Sequence, residues 1–272
     1  MDSQRLGGAV SGMTPSTRIK RILILGGTAE ARLLAGALAG RNEFSVTLSL
    51  AGRTAQPLPQ AVPVRIGGFG AAAGLADYLR NEGVDALIDV THPYAGIISA
   101  NAAKAARDAS VPLLALRRPS WSPVEGDLWI EVDTIEDAVE ALGKAPRRVF
   151  LGLGRKEIQP FTAAPQHAYL VRSVDPVDPP LAVPHAIYIA ARGPFSEADD
   201  HALLKRHRID ALVAKNSGGE GTYGKIAAAR ALHLPVIMLK RPALPRVASV
   251  ETVEEVLAWL DHASASSAAR GV

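Results

Sequence analysis

The chain has 272 residues, 48% of them apolar and 21% charged, with a formal net charge of +3 and no cysteine. This is ordinary globular composition, with length for two domains of about 120 residues each; the lack of cysteine excludes disulfides, thiolate metal sites and a cysteine nucleophile. No apolar run approaches the roughly 20 residues of a bilayer span, no charge block or aromatic-interleaved basic stretch points to nucleic acid, and residues 1–18 lack the apolar middle of a secretory signal, so a cytoplasmic protein with neither membrane nor nucleic-acid partner is expected.

Residues 1–18 are polar and rich in Gly and Ser and read as a flexible tail. From residue 21, short aliphatic or β-branched runs alternate with Ala/Leu-rich amphipathic segments, the pattern of a parallel sheet flanked by helices. Strands are expected near 21–25, 44–50, 62–66, 86–90 and 112–116, with helices opening near Ala29, Gly70 and Ala95. The stretch 119–126, with prolines and a tryptophan, reads as a linker. A second series follows: strands near 128–131, 148–152, 168–173, 186–190, 211–215 and 235–239, and helices near 134–143, 196–207, 223–232 and 251–262. Residues 263–272 read as a second flexible tail.

The two series are related. Val84–Pro119 can be laid over Ile209–Pro242 so that Asp85 meets Asp210, Arg107 meets Arg230, Pro112 meets Pro235 and Pro119 meets Pro242. A fainter echo links ILILGGTAE at Ile22 to VFLGLGRKE at Val149. The expected architecture is therefore α/β: two similar Rossmann-like domains, residues 19–118 and 127–262, each a parallel sheet flanked by helices, with a ligand cleft between them.

In such sheets ligands sit beyond the carboxyl ends of the strands, and there the sequence places its unusual residues. Gly26-Gly27-Thr28 follows the first strand and opens a helix, a design that lets backbone and helix N-terminus approach a pyrophosphate; the third glycine of the common fingerprint is missing. The second strand runs into Ala51-Gly52-Arg53, with a guanidinium where an NAD site offers a carboxylate, so NADPH is the expected cofactor. Thr91 and His92 follow the fourth strand, where a nicotinamide would lie, and Tyr94 beside them is a candidate proton donor. The matching loop of the second half, Lys215 to Lys225, contains Ser217, Gly218, Gly219 and Tyr223; ordering so much glycine costs backbone entropy, which points to ligand contact. Arg155, Arg172, Arg192 and Arg241 stand at or after other strands and would ring the cleft with charge suited to a polycarboxylate. The seven histidines show no ligand-like spacing with carboxylates, so no metal is expected.

The segments ILILGGTAEARLLA, DVTHPYA, GLGRKEI, VRSVDP and LVAKNSGGEGTYGKIAAA, in that order between Ile22 and Pro242, resemble the motif series of the precorrin-6A reductase family of cobalamin biosynthesis, which includes a cobalt-precorrin type. The resemblance implies hydride transfer from a reduced nicotinamide to one double bond of a polycarboxylate tetrapyrrole, giving precorrin-6B, with protonation of the adjacent carbon. It implies other enzymes of that pathway as possible partners. On this reading NADPH falls to Gly26, Gly27, Thr28, Arg53, Thr91 and His92. The substrate falls to Arg155, Arg172, Lys215, Ser217, Gly218, Gly219 and Lys225. The proton donor stays open among Tyr94, Lys215, Tyr223 and water. The competing readings are a two-domain nucleotide-sugar glycosyltransferase and a dinucleotide sensor without catalysis; fold alone does not choose among them.

Overall fold

A computed structural model describes residues 19–52, 54 and 57–268. The first domain contains β1 (Lys20–Leu25), α1 (Ala29–Leu38), β2 (Phe44–Leu50), β3 (Val64–Ile66), α2 (Ala71–Asn81), β4 (Ala86–Asp89), α3 (Gly96–Ala109) and β5 (Leu113–Leu116). Then come β6 (Leu128–Val132), α4 (Ile135–Ala141), β7 (Arg148–Gly152), β8 (Ala168–Ser173), β9 (Ala186–Ala190), α5 (Glu197–Arg206), β10 (Ala211–Lys215), α6 (Gly224–Ala231) and β11 (Pro235–Leu239). The chain closes with β12 (Ser249–Val250) and α7 (Val253–Ala268). No helix among the described residues is long and apolar enough to cross a membrane.

Two six-stranded sheets result, in the orders β3-β2-β1-β4-β5-β12 and β9-β8-β7-β10-β11-β6, every pairing parallel. The central strands are buried on both faces, which is why β1 and β10 read as unbroken aliphatic runs rather than alternations. Both sheets reverse direction of winding, between β1 and β4 and between β7 and β10, the place where ligands bind in this architecture. The internal repeat has a structural counterpart: the Asp85 carboxylate accepts the Arg21 N–H at 2.9 Å, and Asp210 does the same for Arg148 at 2.8 Å. Each aspartate ties a helix-to-strand turn to the start of the neighbouring strand.

The sixth strand of each sheet departs from the expected division. β6, which follows β5 in the chain, does not join β5; it pairs with β11 in the second sheet. The chain then returns after β11, and β12 pairs with β5. Residues 249–262, assigned by sequence to the second domain, thus belong to the first, where Val256 and Leu260 are buried against α1 and the face of β1. The physical basis is a repeated unit: VDTIEDAVEAL from Val132 and VETVEEVLAWL from Val250 both form a strand end, a threonine-capped turn and a helix. Thr134 and Asp137 make a reciprocal capping box, and Thr252 with Glu255 makes the same bonds. The two crossovers, 117–127 and 240–248, contain no helix or strand and run past each other between the sheets. The expected C-terminal tail is partly helical, since α7 extends to Ala268; residues 1–18 and 269–272 lie outside the described residues.

Candidate active site

The β1–α1 turn is built for close approach. A Cβ on Gly26 would lie 2.5 Å from a methyl of Leu48, and Gly27 has φ +112° with open space where a side chain would stand. Thr28 is the N-cap of α1: its hydroxyl accepts the Ala31 N–H at 3.1 Å and donates to the Val90 carbonyl at 2.8 Å. Its proton is therefore committed within the protein, and its role is to organise the helix N-terminus. Glu30, in the first helical turn, receives Arg118 Nη1 on both carboxylate oxygens at 2.7 Å. Arg53 lies outside the described residues.

The β4–α3 turn is tied to a buried carboxylate. Asp89, 4% exposed, accepts Ser99 Oγ at 2.6 Å, Thr91 Oγ1 at 2.7 Å and the Thr91 N–H at 3.1 Å. Thr91 thus has no spare hydroxyl proton. His92 Nδ1 accepts the Tyr94 N–H at 3.3 Å, which assigns the ring proton to Nε2. Burial, reinforced by the charges of Arg118, Lys215, Arg241 and Lys225, pushes its pKa down to about 3. His92 is a neutral hydrogen-bond donor at physiological pH, with a small cavity of about 40 Å³ between it, Ser99, Arg117 and Arg241.

Tyr94 crosses from the first domain to the second. Its hydroxyl donates to the Leu239 carbonyl and accepts the Asn216 N–H at 2.8 Å, and burial raises its pKa to about 12. The sequence reading offered Tyr94 as a proton donor, but the proton is held by a carbonyl and burial makes its loss costly. Its place is a clamp between domains.

The β10–α6 loop is held from outside itself. Gly218 and Gly219 both have left-handed backbone, φ +67° and +71°, and a Cβ on Gly218 would sit 2.1 Å from the Pro119 carbonyl oxygen. Asn216 exchanges hydrogen bonds with Trp121, its Oδ1 accepting the backbone N–H and its Nδ2 donating to the carbonyl, each at 2.8 Å. Trp121 Nε1 donates to the Gly219 carbonyl at 2.9 Å. The Ser217 carbonyl accepts both Arg118 Nε, at 2.7 Å, and Arg241 Nη2, at 3.1 Å. Arg241 also donates to the carbonyls of Asn216, Arg118 and Pro119, so it knits the two crossovers together. Lys215, half-buried, pairs with Glu157 and lies 4.9 Å over the Tyr94 ring.

Two expected ligand residues, Arg172 and Lys225, and one candidate proton donor, Tyr223, turn inward instead. Arg172 pairs with buried Asp200 and stacks 3.6 Å over Phe195, so its charge is neutralised inside the second domain rather than offered to a substrate. Lys225 is 5% exposed, donates to the Thr222 carbonyl at 2.6 Å and lies 5.1 Å over Trp121, with burial lowering its pKa to about 7. The Tyr223 hydroxyl accepts Arg230 Nη2 at 2.5 Å, Arg230 in turn pairs with Asp127, and the Tyr223 ring packs on Trp121. Arg155 lies partly exposed in the loop after β7.

With the geometry in view, comparison with known proteins is decisive. A family model described as precorrin-6x reductase CbiJ/CobK matches residues 21–261. The chain belongs to this family. It is 54% identical over 242 residues to a precorrin-6A reductase of Sinorhizobium sp, covering 89% of this chain and 93% of the relative. It is 31% identical to a cobalt-precorrin-6A reductase of Priestia megaterium, covering 87% and 96%. A solved structure, CobK precorrin-6A reductase, superposes with a TM-score of 0.86 at 48% identity, covering 90% of this chain and 97% of that one. Within this reductase framework, the residues overlooked by the sequence reading are Arg118, Trp121 and Glu30. A signal for the first was present: the repeat that aligns Pro119 with Pro242 also aligns Arg118 with Arg241, an arginine at the same point of both crossovers.

Proposed function

We propose that this reductase uses NADPH to reduce one double bond of precorrin-6A, giving precorrin-6B in cobalamin biosynthesis. The observation that carries the reading, beside family membership, is the junction Glu30–Arg118–Ser217, which brings a dinucleotide-type turn and a glycine-rich loop of the other domain within one side chain of each other. The turn fits a dinucleotide: Gly27 leaves open space, the first-turn N–H groups of α1 lack intrahelical acceptors, and Arg118 neutralises the carboxylate of Glu30. Gly26, Gly27 and Thr28 would hold the pyrophosphate, Arg53 the 2′-phosphate, and Thr91 and His92 the nicotinamide end. A reduced nicotinamide, when bound there, supplies the hydride.

The chain's own residues orient and protonate. Arg155 and the 217–219 backbone take substrate carboxylates; Arg172 and Lys225 support the second domain from within. Lys215 is the proton source we assign, since its ammonium keeps protons beyond the one given to Glu157, whereas the Tyr94 hydroxyl proton is held by the Leu239 carbonyl and the Tyr223 ring packs on Trp121 beside Arg230. Hydride to one carbon and the Lys215 proton to its neighbour convert a C=C bond to CH–CH. Neutral His92 adds a hydrogen-bond donor without adding a charge that would compete for the substrate's carboxylates.

The test is anaerobic oxidation of NADPH with precorrin-6A, with NADH in parallel and Arg53→Ala as a control. Turnover that prefers NADPH, with the preference lost in the variant, supports the reaction and the phosphate contact together. NADPH binding without oxidation of the cofactor removes the substrate assignment.

A further inference from the structure

Arg118 occupies a place that neither domain provides alone. It lies in the crossover after β5, and its guanidinium bonds two functional loops at once: Nη1 to both oxygens of Glu30 in the first turn of α1, and Nε to the carbonyl of Ser217 in the β10–α6 loop. Both ends of the ion pair are mostly buried, with side chains 17% and 23% exposed. The loops are also in near contact through this residue, because a Cβ on Gly219 would lie 3.1 Å from Arg118 Cδ and 3.5 Å from Glu30 Oε1. On the far side, Ser217 O is shared with Arg241, which fixes the Arg118 and Pro119 carbonyls in turn.

We propose that Arg118 is a positioning residue that couples dinucleotide binding at the β1–α1 turn to the conformation of the 216–222 loop, so that the substrate loop is set by the state of the cofactor site. The proposal rests on the dinucleotide reading above. Glu30 puts a negative charge at a helix N-terminus assigned to a pyrophosphate, and a second anion there is tolerated only while a cation stays between them. The bound dinucleotide therefore draws on the same guanidinium that holds Ser217. Any shift of that guanidinium is passed to a loop whose glycine pair offers little resistance of its own, and by linkage an ordered loop strengthens cofactor binding by the same factor.

Trp121 is a built-in reporter, since its indole N–H bonds the Gly219 carbonyl and its backbone bonds Asn216. The chain's other two tryptophans are replaced as Trp129→Phe and Trp259→Phe, and NADP+ is titrated while Trp121 emission is followed and affinity is measured by calorimetry. The expected result is an emission change on binding that becomes at least about 5-fold smaller in Arg118→Gln while NADP+ still binds. Should Arg118→Gln fail to fold, Glu30→Ala removes both acceptors of Arg118 Nη1 and cuts the same link at its other end with the Ser217 bond left in place, and the same loss is expected. An undiminished emission response in either folded variant overturns the proposal, as does NADP+ binding without any response when Arg118 and Glu30 are intact. Failure of NADP+ to bind the parent reporter protein is a different result: it removes the dinucleotide reading itself, and the coupling with it.

Discussion

After β4 the chain turns through Val90–Ala95 into a helix of 14 residues, whereas after the matching strand β10 it takes Asn216–Tyr223 to reach a helix of only 8. The strands are near copies and the helices end alike, with Ser110 and His233 both in left-handed backbone. What differs is the support. The first loop is secured by its own residues, with Asp89 holding Thr91 and, one helical turn on, Ser99. The second has given up the opening turns of its helix for a glycine pair, and its carbonyls are held by Arg118, Trp121 and Arg241 from the two crossovers. One loop is thus a property of its domain, while the other exists only once both domains are assembled.

The contrast is open to attack at one glycine in the second loop and one beside the first. Gly218→Ala should produce the largest effect, because the new methyl meets the Pro119 carbonyl in a left-handed backbone; we expect a loss of about 3 kcal/mol or more in urea denaturation. Gly96→Ala, at the start of α3, places its methyl no nearer than 3.8 Å to Leu244 and should stay within about 0.5 kcal/mol of the parent. Equal costs at the two sites would mean that the loops are not held differently.

Tyr94→Phe probes the point where the two loops touch. It removes the bonds to Leu239 O and Asn216 N–H and should cost about 2 kcal/mol, while turnover in the anaerobic assay stays within about 10-fold of the parent. A fall of about 10²- to 10⁴-fold in kcat with the fold intact would restore Tyr94 as the acid.

A separate test concerns pH. The His92 pKa is depressed from 6.5 to about 3 in the folded state, so unfolding takes up a proton below the unfolded value. Stability associated with His92 is therefore complete above about pH 6.5 and is lost progressively as pH falls toward 3. His92→Gln should flatten the thermal stability profile across that window; a profile of unchanged slope would show that the imidazole is not buried neutral.

Much of the architecture is legible in local sequence. Aliphatic runs such as Ile22–Leu25 and Ala211–Ala214 predict buried parallel strands because such strands have no polar face, and Gly26-Gly27 before an Ala-rich segment predicts the turn now seen. The exchange of sixth strands is not legible, since VDTIEDAVEAL and VETVEEVLAWL specify the same strand, cap and helix and differ only in which sheet edge each reaches. Cations at strand ends mislead in a similar way. Arg172 and Lys225 look available until α5 supplies Asp200 and the segment before it Phe195, while Arg118 looks like linker until Glu30 and Ser217 converge on it.

The sequence alone determined the class of fold, the repeat, the glycine turns and the family resemblance, because hydrophobic period and turn chemistry act between near neighbours. Only the tertiary structure decided which charges are neutralised inside, because a buried cation is settled by partners far along the chain: 28 residues away for Arg172, and 88 and 99 for Arg118.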